Sequence, residues 1–357
     1  MSVWSISQNP SCGAPGCQRD ERITMRPFTL LHAEDLSDAV EIVTGVESAR
    51  FIAGGTTLVD LMKLGVEEPE HIININDVQG LNRVHVEDDG SLHIGALARM
   101  SDVADDQKVQ KDWPALSESL WKGASAQLRN MASIGGNLLQ RTRCPYFRDT
   151  AFQRCNKRAP GSGCDAMEGH NRENALLGTS PHCIALHPSD LCVSLAAFDA
   201  RIETLSASGS RVIEFADLHL IPGDTPQLEN CLRPGEMITA VIVPASSAAR
   251  RSLYLKVRDR QSYQFAVTSV AAAVELCGDG RIRDVRLALG GVATKPWRAR
   301  EAERYLIGRR IDEPTALEAG RLAMSGAEPR RDNAFKIALM QRTIVDALLQ
   351  LLRLEVA

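Results

Sequence analysis

The chain has 357 residues, with a formal net charge of −4, 44% hydrophobic residues and 24% charged residues. These values are ordinary for a globular protein of two or three domains, and they give no reason to expect nucleic-acid binding. No run of about 18 apolar residues occurs, so we expect no membrane span. The first 21 residues lack the apolar segment of a secretory signal.

Residues 1–24 are polar and contain Gly and Pro, so we expect a flexible N-terminal extension in which Cys12 and Cys17 are free, exposed thiols. The regular pattern begins near Arg26. It predicts, in order, a helix at 38–43, a strand at 50–53 that ends at a Gly-Gly pair, a helix at 56–64, a strand at 71–76, a hairpin at 84–96 around an Asp-Gly turn, and a mostly helical stretch at 101–121 that breaks near Pro114.

Residues 144–182 show little periodicity and many Gly, Pro, Arg and Asn residues, which is unusual for a compact domain unless something organises the loop. The regular pattern then resumes. It predicts a helix at 189–200, a strand pair around 206–209, a linker at 244–250, strands at 269–276 and 282–289, and helices at 313–324 and 333–354. The last helix carries apolar residues at helical spacing, which indicates one buried face: Ile337, Met340, Ile344, Leu348 and Leu351. Hairpins mixed with βα steps predict an α+β fold in two parts.

Two glycine pairs stand out because each follows or precedes an apolar segment. The first lies in 53–58, where a strand, two glycines and a helix start would present backbone N–H groups to an anion. The second lies in 133–137, where Ser133 and Asn137 are possible side-chain donors to phosphate oxygens. Neither pair is a GxGxxG or Walker sequence. Together they suggest two loops that clamp one diphosphate, although either could also be an ordinary turn.

The chain has nine cysteines, an odd number that fits a disulfide framework poorly. Cys192, Cys231 and Cys277 lie in or near apolar runs, so we interpret them as buried core residues. The other four are clustered in the irregular segment: Cys144, Cys155, Cys164 and Cys183.

No two of these four cysteines form a CxxC pair, because successive cysteines are separated by ten, eight and eighteen residues. Four thiolates can hold either tetrahedral zinc or a cubane iron–sulfur cluster. A solvated basic loop with incidental cysteines is a third possibility. The basic residues around them would stabilise an anionic cluster: Arg141, Arg143, Arg148, Arg154, Lys157 and Arg158.

Residues 51–63 and 133–138 resemble the two FAD loops in the flavoprotein subunits of molybdenum hydroxylases, the xanthine dehydrogenase family. Residues 140–147, with 155–158 and 161–164, resemble more narrowly the FAD and iron–sulfur subunits of aldehyde oxidoreductases in that family. The resemblance runs from about Met25 to near the C-terminus. The double-glycine loops are common to the family, whereas the four-cysteine insertion is much more specific.

The resemblance implies an α+β fold with a vanillyl-alcohol-oxidase (PCMH)-type FAD-binding domain followed by a C-terminal α+β domain like that of CO dehydrogenase flavoproteins. We expect the first domain, of two subdomains, at 25–246, a [4Fe–4S] insertion within it at 141–186, and the second domain at 247–357. FAD would be bound by Ile52, Ala53, Gly54, Gly55, Thr56, Thr57, Leu58, Ala124, Ser125, Ser133, Gly135, Gly136, Asn137, Asp190 and Lys256. The cluster ligands would be Cys144, Cys155, Cys164 and Cys183.

By the same resemblance, Asp190 would contact the ribityl or pyrophosphate region of the flavin, and Lys256 would lie near its isoalloxazine ring. The chain would be an electron-transfer subunit of a heterotrimeric aldehyde oxidoreductase. A molybdenum-cofactor subunit would oxidise an aldehyde to a carboxylic acid, and a [2Fe–2S] subunit would pass electrons through FAD to an unidentified acceptor. No residue of this chain would act as a general acid or base.

The same expectation places the protein in the periplasm, by co-export with a partner, or in the cytoplasm, because this chain shows no export signal of its own. Two alternatives stay open. One is a stand-alone FAD oxidoreductase with the same type of flavin domain, and the other is a non-enzymatic scaffold held together by zinc.

Overall fold

The computed structural model describes residues 25–354, and the predictions for 1–24, including exposed thiols at Cys12 and Cys17, lie outside the described residues. The first unit is a parallel sheet with strand order β1-β3-β2. Its elements are β1 (Thr29–His32), α1 (Leu36–Gly45), β2 (Ala49–Ile52), α2 (Leu58–Lys63) and β3 (His71–Asn74). The Asp35 carboxylate accepts a hydrogen bond from Asp38 N at 2.9 Å, which caps α1. The strand and the helix that the sequence predicts on either side of Gly54 and Gly55 are β2 and α2.

The second unit is a five-stranded antiparallel sheet with the order β4-β5-β8-β6-β7. Its strands are β4 (Val84–Val86), β5 (Leu92–Gly95), β6 (Arg201–Ser206), β7 (Gly209–Glu214) and β8 (Met237–Val243). Between β5 and β6 lie α3 (Met100–Asp105), α4 (Gln107–Asp112), α5 (Pro114–Trp121), α6 (Ala126–Arg129), α7 (Ile134–Leu138), α8 (Pro145–Arg148) and α9 (Asp190–Ala197). The helix α10 (Phe215–Leu218) follows β7.

The C-terminal unit is an antiparallel sheet with the order β12-β11-β10-β9. Its strands are β9 (Ser252–Val257), β10 (Thr268–Leu276), β11 (Ile282–Gly290) and β12 (Trp297–Arg298), and its helices are α11 (Arg300–Leu306), α12 (Glu313–Ala323) and α13 (Phe335–Arg353). The three helices pack with the sheet around one core. Helices α5 and α9 also pack against this sheet, and Tyr254 of β9 belongs to the same buried cluster as Leu116 of α5. The core of the second unit therefore continues into the C-terminal one.

Residues 141–186 contain little regular structure, as the lack of periodicity predicted. The described backbone there has the short helix α8 and isolated β-bridges such as that between Cys155 and Cys164. A further bridge joins Leu177 to Ala293, beyond β11, so the segment is attached to the C-terminal unit. No helix among the described residues is long and apolar enough to cross a membrane.

Several details differ from the sequence expectations. The stretch at 101–121 breaks at Asp106 as well as at Pro114, because the Asp106 carboxylate accepts from Lys108 N and Val109 N and so caps a new helix. Cys192 is fully buried as predicted, but Cys231 and Cys277 are only half-buried, which corrects their interpretation as buried residues. Both lie outside the regular strands and helices.

Candidate functional site

The two glycine loops touch each other. Gly54 follows β2, and a Cβ atom on it would lie 1.7 Å from Met131 O, which precedes the second loop. Gly55 has φ +69°, a conformation that residues with a side chain rarely adopt. The first glycine is therefore required by backbone-to-backbone contact, and the second by the turn that starts α2.

The second loop is held from within. Ser133 Oγ accepts a hydrogen bond from Gly136 N at 3.2 Å and caps the short helix α7. Gly135 N donates to Ala96 O at 2.8 Å, and a Cβ on Gly135 would lie 3.1 Å from the Ala96 side chain. Close packing of α7 on the segment after β5 therefore accounts for this glycine.

Asn137 is tied to two neighbours. Its Nδ2 donates to the Met100 sulfur at 3.2 Å, and its Oδ1 accepts from Ser189 Oγ at 2.5 Å. Ser189 in turn caps α9 by accepting from Cys192 N at 3.2 Å. The buried amide thus joins the second glycine loop to the helix that begins with Asp190.

The loops line two adjoining cavities that share Thr56, Thr57 and Gly136 in their walls. One, of about 240 Å³, follows the first loop. The other, of about 510 Å³, extends towards the C-terminal sheet. We call the two together the cleft, and its size is in the range of small-molecule sites. Most of the predicted FAD residues line it: Ile52, Ala53, Gly54, Gly55, Thr56, Thr57, Leu58, Ala124, Ser133, Gly136, Asn137, Asp190 and Lys256. Ser125 and Gly135 do not line it: Ser125 caps α6, and Gly135 packs against Ala96.

Ala124 lies in the wall of the cleft with φ +51°, a strained conformation for a residue that carries a Cβ. The segment is held on both sides. Arg129 donates to Gly123 O at 2.8 Å, and Ser125 Oγ accepts from Leu128 N at 3.3 Å. Strained backbone of this kind is common at ligand sites, where the surrounding structure holds it in place.

A buried charged group lies in the wall of the larger cavity. Lys256 Nζ is 2.7 Å from Asp190 Oδ2, and Tyr254 OH donates to Asp190 Oδ1 at 2.6 Å. Burial raises the pKa of Asp190, whereas the Lys256 ammonium and the Tyr254 hydroxyl act against that rise. The sequence reasoning missed Tyr254. Its signal was the two-residue spacing from Lys256 on β9, which puts both side chains on one face.

The structure brings the four clustered cysteines together. Burial raises the pKa of Cys144, Cys164 and Cys183. The pKa of Cys183 rises to about 12, and the neighbouring Cys164 and Cys144 contribute to that rise. Cys155 lies close enough to raise the pKa of Cys144 and Cys164. The four thiols therefore form one cluster, in which Cys155 and Cys183 are buried and Cys144 and Cys164 are half-buried.

Hydrogen-bond donors point at these sulfur atoms. Asn174 Nδ2 lies 3.7 Å from Cys144 Sγ, and Ala185 N lies 3.4 Å from Cys183 Sγ. The backbone amides of Ala166 and Met167 lower the pKa of Cys164 in the same way. Donors of this kind stabilise thiolate over thiol.

Cations attach the cysteine segment to the cleft. Arg143 and Arg148 both pair with Asp60 of α2, directly after the first glycine loop. Arg143 lines the larger cavity, and it also lines a separate small cavity together with the adjacent Cys144. Lys157 pairs with Glu229 at 2.9 Å and lowers the pKa of Cys183. The thiols therefore lie next to the wall of the cleft, and Asp60 is a contributor that sequence reasoning did not identify.

Residues 26–246 match the family model described as the FAD binding domain in molybdopterin dehydrogenase, and residues 253–351 match the CO dehydrogenase flavoprotein C-terminal domain. The chain is 46% identical to the aldehyde oxidoreductase FAD-binding subunit PaoB of Escherichia coli (strain K12), over 91% of this chain and 98% of that protein. It is 29% identical to the glyceraldehyde dehydrogenase medium chain of Sulfolobus acidocaldarius, over 86% of this chain and 90% of that one.

Among solved structures, a chain of the reconstituted CO dehydrogenase from Oligotropha carboxidovorans superposes with a TM-score of 0.71 at 21% identity, over 91% of this chain and 97% of that chain. A chain of the carbon monoxide dehydrogenase from Hydrogenophaga pseudoflava superposes with a TM-score of 0.72 at 22% identity, over 92% of this chain and 99% of that chain. At these identities the likeness concerns the fold. The predicted α+β fold, with an FAD-binding domain followed by a C-terminal domain like that of CO dehydrogenase flavoproteins, is confirmed.

Proposed function

The chain belongs to the FAD-binding medium subunits of the xanthine dehydrogenase (molybdenum hydroxylase) family, and from this premise we propose that it is the electron-transfer subunit of a molybdenum-dependent aldehyde oxidoreductase. Support for the substrate class comes from two relatives that cover most of the chain, one described as an aldehyde oxidoreductase subunit and one as a glyceraldehyde dehydrogenase chain. The structural observation that carries the proposal is the contact between the two glycine loops, which forms one continuous cleft from two distant segments.

The cleft fits FAD. Its two cavities adjoin, and their shared wall contains Thr56, Thr57 and Gly136. The predicted residues that line the cleft would hold the dinucleotide, and Ser125 and Gly135 would position the loops that do so. Asp190 would accept from a ribityl hydroxyl, and Lys256 would lie towards the flavin ring. Bound FAD supplies one- and two-electron redox chemistry, while this chain binds it and orients it.

We also propose that Cys144, Cys155, Cys164 and Cys183 hold a [4Fe–4S] cluster. Support comes from their proximity, from the burial of Cys155 and Cys183, and from the N–H groups directed at sulfur atoms. The nearby cations would offset the negative charge of a four-thiolate cluster, which supplies one-electron transfer when bound. Zinc is the alternative occupant of the same four thiols.

The proposed partners are a molybdenum-cofactor subunit, which would oxidise the aldehyde to a carboxylic acid, and a [2Fe–2S] subunit, which would deliver electrons to this chain. The relatives' descriptions as a subunit and a medium chain support an assembly of several chains. The proposed location is the periplasm, by co-export with a partner, or the cytoplasm, and the terminal acceptor is unidentified.

The test is anaerobic purification, with flavin, iron and zinc measured against protein. We expect about one flavin and about four irons per chain. Cys155→Ser should lose most of the iron, whereas the matched control Cys231→Ser, a half-buried cysteine outside the segment, should keep it.

Each result separates the possibilities. Flavin without iron in an undamaged preparation would overturn the cluster and favour the stand-alone flavoenzyme. Zinc without flavin or iron would overturn the whole proposal in favour of the scaffold. Co-purification with a molybdenum subunit would distinguish the electron-transfer role from the stand-alone enzyme.

A further inference from the structure

A second group of metal-ligand side chains contains none of the four clustered cysteines, although Cys183 lines the same cavity as its two histidines. It consists of His187, Cys192 and His219, and one ring nitrogen of each histidine and the Cys192 sulfur all lie within 4.8 Å of one another. Zinc binds nitrogen at about 2.0–2.1 Å and sulfur at about 2.3 Å, so tetrahedral ligand atoms are about 3.5 Å apart. Side-chain shifts of about 1 Å would bring these three atoms to coordination distance.

Three separate elements place the group. His187 lies in the extended segment before α9, Cys192 lies in the first turns of α9, and His219 follows α10. The two imidazole rings meet edge to face, with 4.4 Å between their centroids. Cys192 and His219 are almost completely buried, at 0% and 5% exposure. The group is therefore a packed feature of the fold and not a chance approach of surface side chains.

Each histidine has one ring nitrogen that is buried and has no hydrogen-bond partner among residues 25–354. These atoms are Nε2 of His187 and Nδ1 of His219. A buried polar atom without a partner costs about 1–3 kcal/mol, so such atoms usually indicate a missing ligand or water. Two such atoms, in histidines that lie beside one thiol, point to one shared ligand.

The opposite nitrogen of His219 is well satisfied, because Nε2 donates to Leu138 O at 2.9 Å. That bond fixes the tautomer and leaves the Nδ1 lone pair free, as in most metal-bound histidines. Burial lowers the pKa of His219 to about 4 and that of His187 well below its usual value. Metals bind the neutral form of imidazole, which burial favours in both rings.

We propose that His187, Cys192 and His219 form a mononuclear site for a thiophilic d10 cation, Zn²⁺ or Cu⁺. Thiolate with imidazole is a ligand set that both ions accept. On binding, the Cys192 thiol gives up its proton to solvent, so the three ligands contribute one negative charge. The site would be neutral with Cu⁺ and would carry one positive charge with Zn²⁺.

The surroundings include both signs of charge. Lys157 lowers the pKa of His187, Lys295 lowers that of His219, and Glu229 raises that of His219. His187 and His219 also line a cavity of about 290 Å³. The cavity provides an access route and room for a water molecule as fourth ligand to Zn²⁺.

The test uses the flavin-loaded protein, equilibrated separately with buffered Zn²⁺ and, without oxygen, with buffered Cu⁺. Bound metal is counted after dialysis. The wild type should retain about one more equivalent of one of these ions than Cys192→Ala or His219→Phe, with at least a tenfold loss of affinity in each variant. Cys277→Ala, a half-buried cysteine elsewhere, is the matched control and should bind like the wild type.

Metal-edge X-ray absorption of the wild type gives a second measurement that does not depend on any variant folding correctly. A shell with one sulfur and two imidazole nitrogens supports the proposal, whereas a four-sulfur shell assigns the metal to the other four cysteines. Equal metal content in the wild type, Cys192→Ala and His219→Phe would overturn the proposed site. Iron and flavin contents are followed in parallel, so failure here is distinct from failure of the proposed function.

Discussion

Asp190 divides its two carboxylate oxygens between a lysine and a tyrosine, in a wall of the cleft where the residue is only 9% exposed. A buried carboxylate is stable only when its charge is paired. The group therefore has unequal parts: Lys256 supplies the opposite charge, whereas Tyr254 supplies one hydrogen bond.

We expect Lys256→Met to lower the free energy of unfolding by about 3–5 kcal/mol, because it leaves Asp190 buried and unpaired. Tyr254→Phe should cost about 1.5–3 kcal/mol, since the ion pair remains. The measurement is urea unfolding of both single variants and the double variant, whose cost should differ from the sum because the residues share Asp190. Equal costs for the two single variants would contradict this arrangement.

At the scale of elements, the two glycine loops depend on a backbone contact. A Cβ on Gly54 would overlap Met131 O, so Gly54→Ala must push the loop after β2 away from the segment before α7. We expect a loss of FAD affinity of at least tenfold, together with lower stability, measured by flavin retention on dialysis and by urea unfolding.

Gly45→Ala is the matched control for this prediction. Gly45 ends α1, and an added Cβ there would meet nothing within 4 Å. Alanine is the better helix former by about 1 kcal/mol, so this variant should be neutral or slightly stabilising. Equal flavin loss in both variants would indicate a general effect of replacing glycine.

The elements around the cleft could largely be predicted from the sequence, because their signals are local. The strand and helix on either side of Gly54 follow from apolar spacing, and the broken helix at Pro114 follows from proline chemistry. The break at Asp106 was missed because an N-cap inside a helical stretch looks like an exposed helix position. The contact of Gly54 with Met131 could not be predicted, because no local pattern encodes which distant backbone approaches a glycine.

At the scale of the whole molecule, the FAD-binding and C-terminal parts share a core. Leu116 of α5 and Leu195 of α9 lie in one buried cluster with Ala271 and Ala288 of the C-terminal sheet. We expect the two parts to unfold in one transition, since separating them would expose this apolar surface.

Tryptophan fluorescence can follow each part separately during urea unfolding. Trp297→Phe removes the described tryptophan of the C-terminal part, whereas Trp113→Phe combined with Trp121→Phe removes those of the first part. We expect the two variant proteins to have the same midpoint of urea unfolding, once the stability cost of each substitution has been subtracted. Two distinct transitions within the unsubstituted protein, seen by calorimetry, would show that the parts unfold independently.

The cysteine segment is completed by residues made much later in translation. Lys336 donates from its buried ammonium to Asn174 O at 3.2 Å, across 162 positions of sequence, and Asn174 contacts Cys144. At about 5–20 residues per second, a ribosome needs roughly 10–30 s to cover that distance. The four thiols therefore leave the ribosome well before the contacts that enclose them exist. During that interval the thiols are open to oxidation and, if the proposed function is correct, to delivery of the cluster.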